Sequence, residues 1–229
     1  ARHLTAAGFP VLRFDCRGMG DSTGTFPGFE AIGPDIGAAV QAFRDAVPGL
    51  REVVLWGLCD GASAAAFHAA GQPGAIAGLV LANPWVRTET GLARSYVQSY
   101  YGQRLLQREF WVRLFSGQMN LGAALGGFLR DLGRSLGLGA SRDGGAGSDP
   151  ATAGNLPDRF RAALNDYPGP VQLILSGADL TAREFESCFT SAAWSAVRQR
   201  PGIRRLDLPG ADHTFSRREW TDAVSDATL

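Results

Sequence analysis

The chain has 229 residues, 45% of them apolar, which is enough for one sizeable core. Its 22 basic residues, every one an arginine, are matched by 22 acidic ones, so no net field draws it to nucleic acid or to an anionic membrane. Three widely spaced cysteines and three histidines contain no Cys-x-x-Cys pair and no metal-ligand spacing, so no disulfide framework, metal or cofactor is expected.

No apolar run reaches the roughly 20 residues that span a bilayer, and Ala1-Arg2-His3-Leu4-Thr5 does not resemble a signal peptide. Together with cysteines suited to a reducing compartment, this leads us to expect a cytoplasmic protein. The chain begins without methionine, in what reads as the last turns of a helix. We therefore expect an N-terminal portion upstream, where a leader would lie.

In chain order, Pro10 to Phe14 is the first short apolar run and reads as a buried strand. Asp35 to Val47 follows, with Ile36, Val40, Phe43 and Val47 at helical spacing. Val53 to Trp56 is a second strand, Asp60 to Ala70 an alanine-rich helix, and Leu79 to Ala82 a third strand. The alternation predicts an α/β protein, a mostly parallel, doubly wound sheet with helices on both faces.

After Asn83-Pro84 the strand pattern stops, and it resumes at Val171 to Leu175 and Ile203 to Leu208. Residues 85–168 are therefore expected to be an insertion between two parts of the core, 1–84 and 169–229. Leu121, Leu125, Phe128, Leu132 and Leu136 repeat at helical spacing, as do Phe110, Trp111, Leu114 and Phe115, which makes the insertion helical. A stripe of this kind is most often packing. An insertion between late strands nevertheless emerges at the carboxyl edge, where its Tyr96, Tyr100, Tyr101 and Trp111 can cover an acyl group. Arg87, Arg94, Arg104, Arg108 and Arg113 are read as its solvated face, and 137–155, rich in glycine, serine and alanine, as a flexible loop.

The chemistry is concentrated where the second strand ends. Gly57-Leu58-Cys59-Asp60-Gly61 sits between strand and helix in the pattern of a nucleophile elbow, with cysteine in place of serine. Gly57 and Gly61 are expected to give clearance for a strained Cys59. The pentapeptide alone is equally compatible with a small buried cysteine. A thiol nucleophile needs a base and the base an orienting acid, and both follow at the ends of later strands. Asp179 lies just beyond Val171 to Leu175, and His213 lies in the loop after Ile203 to Leu208. Each has an ordinary reading by itself, Asp179 as a helix cap and His213 as a surface residue. Their joint placement at the carboxyl ends of separate strands favours a Cys59–His213–Asp179 triad. His68 reads as packing or surface, and Cys16 as a buried spectator.

Arg13-Phe14-Asp15-Cys16-Arg17-Gly18-Met19-Gly20-Asp21-Ser22, the elbow, and the order nucleophile, acid, histidine resemble the α/β-hydrolases of the serine aminopeptidase-like and lysophospholipase-like group. More narrowly, Gly57 to Ser63 and Pro209-Gly210-Ala211-Asp212-His213-Thr214-Phe215-Ser216 are similar to hydrolases associated with the bacterial exosortase A system. The resemblance implies an α/β-hydrolase fold with a helical cap, Cys59 as nucleophile, His213 as general base, Asp179 as orienting acid and the Asp60 N–H as one oxyanion donor. It also implies a strand between those ending at Phe14 and Trp56, and with it a second oxyanion donor; this chain lacks both, so its N-terminal strands are expected to be missing.

The expected partner is a small acyl substrate, an ester, thioester or lactone, cleaved through an acyl-enzyme. Transfer to another acceptor and a non-catalytic binding scaffold are the alternatives. The Asp60 carboxylate beside Cys59 opposes thiolate formation electrostatically.

Overall fold

The computed structural model describes residues 1–72, 74–86 and 154–229. The chain divides into two compact units, Ala1–Val86 with Leu156–Leu229, and Arg87–Asn155. The first is described here, and the expected cap helices and most of the 137–155 loop lie outside the described residues.

A short helix α1 (Arg2–Ala6) opens this unit. After a 3₁₀ turn at Phe29–Ala31 come α2 (Gly33–Ala46), β1 (Val54–Leu58), α3 (Asp60–Gly71) and β2 (Gly78–Ala82). Beyond the second unit follow α4 (Leu156–Asp166), β3 (Val171–Ser176), α5 (Leu180–Phe189), a 3₁₀ turn at Ala192–Trp194, α6 (Ser195–Gln199), β4 (Ile203–Leu208) and α7 (Arg218–Thr228). The four strands form one sheet in the order β1-β2-β3-β4, and every pairing is parallel. This is the parallel, helix-covered sheet expected from the alternating pattern, and it fits the α/β-hydrolase fold that the resemblance implies.

Side chains alternate across the sheet because the period of a strand is two. Leu79, Leu81, Val171, Leu173 and Leu175 enter the larger core with Ile36 and Val40 of α2, the alanines of α3, Phe160 and Leu164 of α4 and Phe185 and Phe189 of α5. Val80, Ala82 and Ile174 point the other way, against Ala211, Phe215 and Val224 of α7. A strand covered on both faces has no reason to carry a polar residue. Hence β2 reads Gly-Leu-Val-Leu-Ala and is buried throughout.

Two sequence readings need correction. Residues 10–14 are not a strand: they run without regular structure, and Phe9, Leu12 and Phe14 are exposed. A strand exists through its neighbour's backbone, and β2 is the one described partner of β1. Val54 and Trp56, on the outer strand, are exposed as well. Second, Leu156–Asp166 was assigned to the insertion, yet α4 belongs to the core unit. Phe160 and Leu164 are fully buried there, and Phe160 makes edge-on contacts with Phe67 of α3 and Phe185 of α5.

Candidate active site

Cys59 stands between β1 and α3 with φ 61° and ψ −124°, a left-handed backbone that a side-chain-bearing residue rarely adopts. Holding such a residue costs on the order of 1–3 kcal/mol, so its surroundings must impose it. They do so through the backbone. The Cys59 N–H donates to the Ala82 carbonyl at 2.9 Å, and the Cys59 carbonyl accepts from Ala62, Ser63 and Trp85 N–H groups at 3.1, 3.3 and 3.1 Å. The buried Ser63 hydroxyl donates to the Trp85 carbonyl at 2.6 Å, tying α3 to the loop after β2.

The two elbow glycines are not equivalent. A Cβ on Gly57 would lie 2.4 Å from the Gly61 carbonyl oxygen and 2.6 Å from the Ala62 nitrogen, so β1 and α3 meet this closely because residue 57 is glycine. A Cβ on Gly61 would meet nothing within 4 Å among the described residues. The clearance expected of both belongs to Gly57.

Asp60 is the first residue of α3, and its N–H is one of the helix-start donors without an intrahelical acceptor. Its carboxylate turns onto the adjacent Gly61 N–H at 2.9 Å.

The structure brings Asp179 and His213 together. Asp179 Oδ2 lies 3.0 Å from His213 Nδ1, with the carboxylate side chain 10% exposed and the imidazole 36%. The same Oδ2 accepts the Ala182 N–H at 2.9 Å, so Asp179 also caps α5. One oxygen of Asp179 thus both caps α5 and faces the imidazole.

The turns that carry these residues are joined directly. Gly177 donates to the Leu208 carbonyl at 2.9 Å and Ala178 to the Ala211 carbonyl at 3.0 Å. A Cβ on Gly177 would come within 2.9 Å of Gly210 N and Pro209 Cα, so glycine is required for this approach. Asp212 braces the histidine loop, accepting the Ser216 hydroxyl, the Ser216 N–H at 2.9 Å and the Thr214 N–H at 3.2 Å. These bonds, those from Ser216 first, hold the Asp212 carboxyl below the usual carboxylate range.

Cys59, Asp179 and His213 follow β1, β3 and β4 at the carboxyl edge of the sheet, the edge where open parallel sheets take ligands. Among the described residues, the three non-glycine residues with positive φ, Cys59, Asn83 and Phe215, follow β1, β2 and β4 at that same edge. Such strain concentrates at functional sites.

The remaining cysteines and His68 are placed differently. Burial, and after it the carboxylates of Asp35, Asp15 and Asp60, push the Cys16 thiol up. Burial likewise raises Cys188, with Glu184 and Asp158 adding to it. His68 packs beside Gly33 and Gly37 of α2, and burial lowers its pKa. Among the described residues no group of three or more His, Cys, Asp or Glu side chains is arranged to hold a metal, and no helix is long and apolar enough to cross a membrane.

A family model described as "Serine aminopeptidase, S33" matches residues 1–116, half of the chain, including the elbow. The chain belongs to this α/β-hydrolase family. Among solved structures, an esterase of Pyrococcus furiosus is similar with a TM-score of 0.57 at 18% identity, covering 98% of this chain and 71% of its own. Est1E from Butyrivibrio proteoclasticus, solved with ferulic acid bound, is similar with a TM-score of 0.57 at 18% identity over 100% and 79%. The esterase domain of a Rhodothermus marinus protein gives 0.52 at 20% identity over 99% and 74%. At these identities the likeness is one of fold. No curated protein matches the chain.

Sequence reasoning passed over one residue of this edge. Asn83 was noted only as the end of β2, and an asparagine before a proline is an ordinary turn signal. Its full burial and its φ of 43° become visible only in three dimensions.

Proposed function

We propose that this α/β-hydrolase family member cleaves a carboxylic ester, thioester or lactone through a covalent intermediate on Cys59. His213 Nε2 takes the thiol proton while Nδ1 faces Asp179, and the thiolate sulfur attacks the acyl carbonyl. The developing oxyanion receives the Asp60 N–H at the helix start. Collapse expels the alcohol or thiol, which takes its proton from His213, and water activated by the same imidazole releases the acid and restores the thiol.

The observation that carries this reading is the 3.0 Å approach of Asp179 to His213, at the sheet edge that also holds the strained Cys59. An aspartate there fixes the imidazole in the tautomer with the proton on Nδ1, which leaves Nε2 as the base. Amide hydrolysis ranks lower, because an amine leaves a thiol-derived tetrahedral intermediate less readily than an alcohol or thiol does.

The likeness of Gly57 to Ser63 and of Pro209 to Ser216 to exosortase A-associated hydrolases supports a bacterial setting beside exported-protein and exopolysaccharide machinery. A cytoplasmic location and a helical cap within the insertion, ending before α4, belong to the same reading. Transfer of the acyl group to a hydroxyl or amine is the second reading, since the same acyl-enzyme serves both.

Short and long acyl p-nitrophenyl esters and acyl-CoA thioesters, offered with and without an added alcohol or amine, test the proposal. Release of free acid under both conditions supports hydrolysis, and diversion of product to the acceptor supports transfer. No turnover by the folded protein across the panel contradicts both and leaves the non-catalytic scaffold.

A further inference from the structure

We propose that Asn83 is a positioning residue that holds the nucleophile, acid and histidine segments in register through its buried amide. This rests on the Cys59–His213–Asp179 reading above.

Asn83 follows β2, the central strand between the one that leads to Cys59 and the one that leads to Asp179. Its side chain is fully buried, and its two polar atoms between them reach two segments of the site, the end of β3 and the histidine loop. Asn83 Oδ1 accepts the Ser176 N–H at 2.9 Å at the end of β3. Asn83 Nδ2 donates to the Ser176 hydroxyl at 2.9 Å and to the His213 carbonyl at 3.0 Å. Ser176, itself buried, passes its hydroxyl proton on to the Asp212 carbonyl at 2.8 Å, so the two residues grip consecutive carbonyls of the histidine loop.

The backbone on either side of Asn83 completes the connection. Its own N–H donates to Ile174 of β3 at 3.0 Å; Ala82, before it, accepts from the Cys59 N–H; and Trp85, after it, donates to the Cys59 carbonyl. One short loop is thus bonded to the elbow, to the end of the acid's strand and to the base's main chain. A buried amide bonded through both its oxygen and its nitrogen is held in one geometry, and Asn83 holds it from a left-handed backbone with φ 43°.

An ordinary core residue in this place would contribute stability alone. The contacts to the main chain of His213 and Asp212 add a different consequence: loss of the amide releases the imidazole relative to Cys59 while the fold persists. The thiolate that His213 stabilises then forms less readily.

The test follows alkylation of Cys59 by iodoacetamide against pH, read as the mass of the Cys59 peptide so that Cys16 and Cys188 do not interfere. Wild type is compared with Asn83→Gly, which keeps the backbone and removes the amide, with Ser176→Ala, and with His213→Ala. Near-UV circular dichroism confirms folding in each case. We expect the alkylation midpoint of wild type to lie below the ordinary thiol value of about 8.5 and to depend on His213. In Asn83→Gly it rises by about one unit, a roughly tenfold loss of alkylation rate at neutral pH, and in Ser176→Ala it rises by less. Ester turnover follows, with kcat falling and KM little changed.

Should Asn83→Gly fail to fold, Ser176→Ala, which deletes a single hydroxyl, carries the test. A wild-type midpoint that is depressed and His213-dependent, but unmoved by either substitution in folded protein, overturns the role of Asn83 and leaves the triad reading intact. An ordinary midpoint indifferent to His213→Ala overturns that reading and this inference with it.

Discussion

Asp179 and His213 meet through the same carboxylate oxygen that caps α5: Oδ2 faces Nδ1 at 3.0 Å and accepts the Ala182 N–H at 2.9 Å. The helix start therefore holds the Asp179 carboxylate in place against the imidazole of His213. Two substitutions separate these duties. Asp179→Asn keeps an oxygen for the cap and loses the charge, so stability stays near wild type while kcat falls by about 10³ to 10⁴, as expected when a triad imidazole loses its preferred tautomer. Asp179→Ala loses both, adding about 0.5–2 kcal/mol of destabilisation from the missing cap. Urea denaturation beside esterase kinetics checks this. Equal destabilisation by the two variants would show that the cap does not depend on the retained oxygen.

The asymmetry of the elbow glycines gives a second expectation. Gly57→Ala forces a Cβ to within 2.4 Å of backbone that cannot step aside, and overpacking of this kind costs about 1–3 kcal/mol or more. Gly61→Ala adds a methyl in open space within a helix, where alanine is favoured over glycine by up to about 1 kcal/mol. Thermal melts should move in opposite directions. A Gly57→Ala protein as stable as wild type would mean that the approach of β1 and α3 is looser than described.

This contrast also marks how far the sequence could be read. Gly-x-Cys-x-Gly is symmetric on the page, and only the approach of two backbones tells which glycine is needed. Strands β2 and β3 were legible because parallel strands covered on both faces are near-continuous apolar runs, and the order of the four strands along the chain placed Cys59, Asp179 and His213 at one edge.

Residues 10–14 have the same composition and are not a strand, because pairing is a property of the neighbour rather than of the run. Residues 156–166 were placed in the insertion because the strand pattern resumes only at Val171, and nothing in the sequence says that Phe160 and Leu164 of α4 are buried in the core. Asn83 carried no signal at all, since nothing about an asparagine before a proline says that its amide reaches Ser176 and His213, far away in sequence.

His68 supplies a pH expectation. Burial lowers its folded pKa below the unfolded value of 6.5, so the unfolded chain binds the extra proton first as pH falls. The contribution of neutral His68 to stability is fully present above about pH 6.5 and is lost as pH drops through the folded value. Urea midpoints measured at several pH values from 7.5 to 5 should fall with acid more steeply in wild type than in His68→Gln. Parallel profiles would show that His68 is not buried as described.

The most direct measurement of the central claim is the intact mass of the protein after brief mixing with an activated acyl ester, compared with Cys59→Ala and His213→Ala. The account predicts one acyl addition, mapped to Cys59, absent in Cys59→Ala and strongly slowed in His213→Ala. Acylation that persists in Cys59→Ala, or that forms at Cys59 at the same rate without His213, would contradict it.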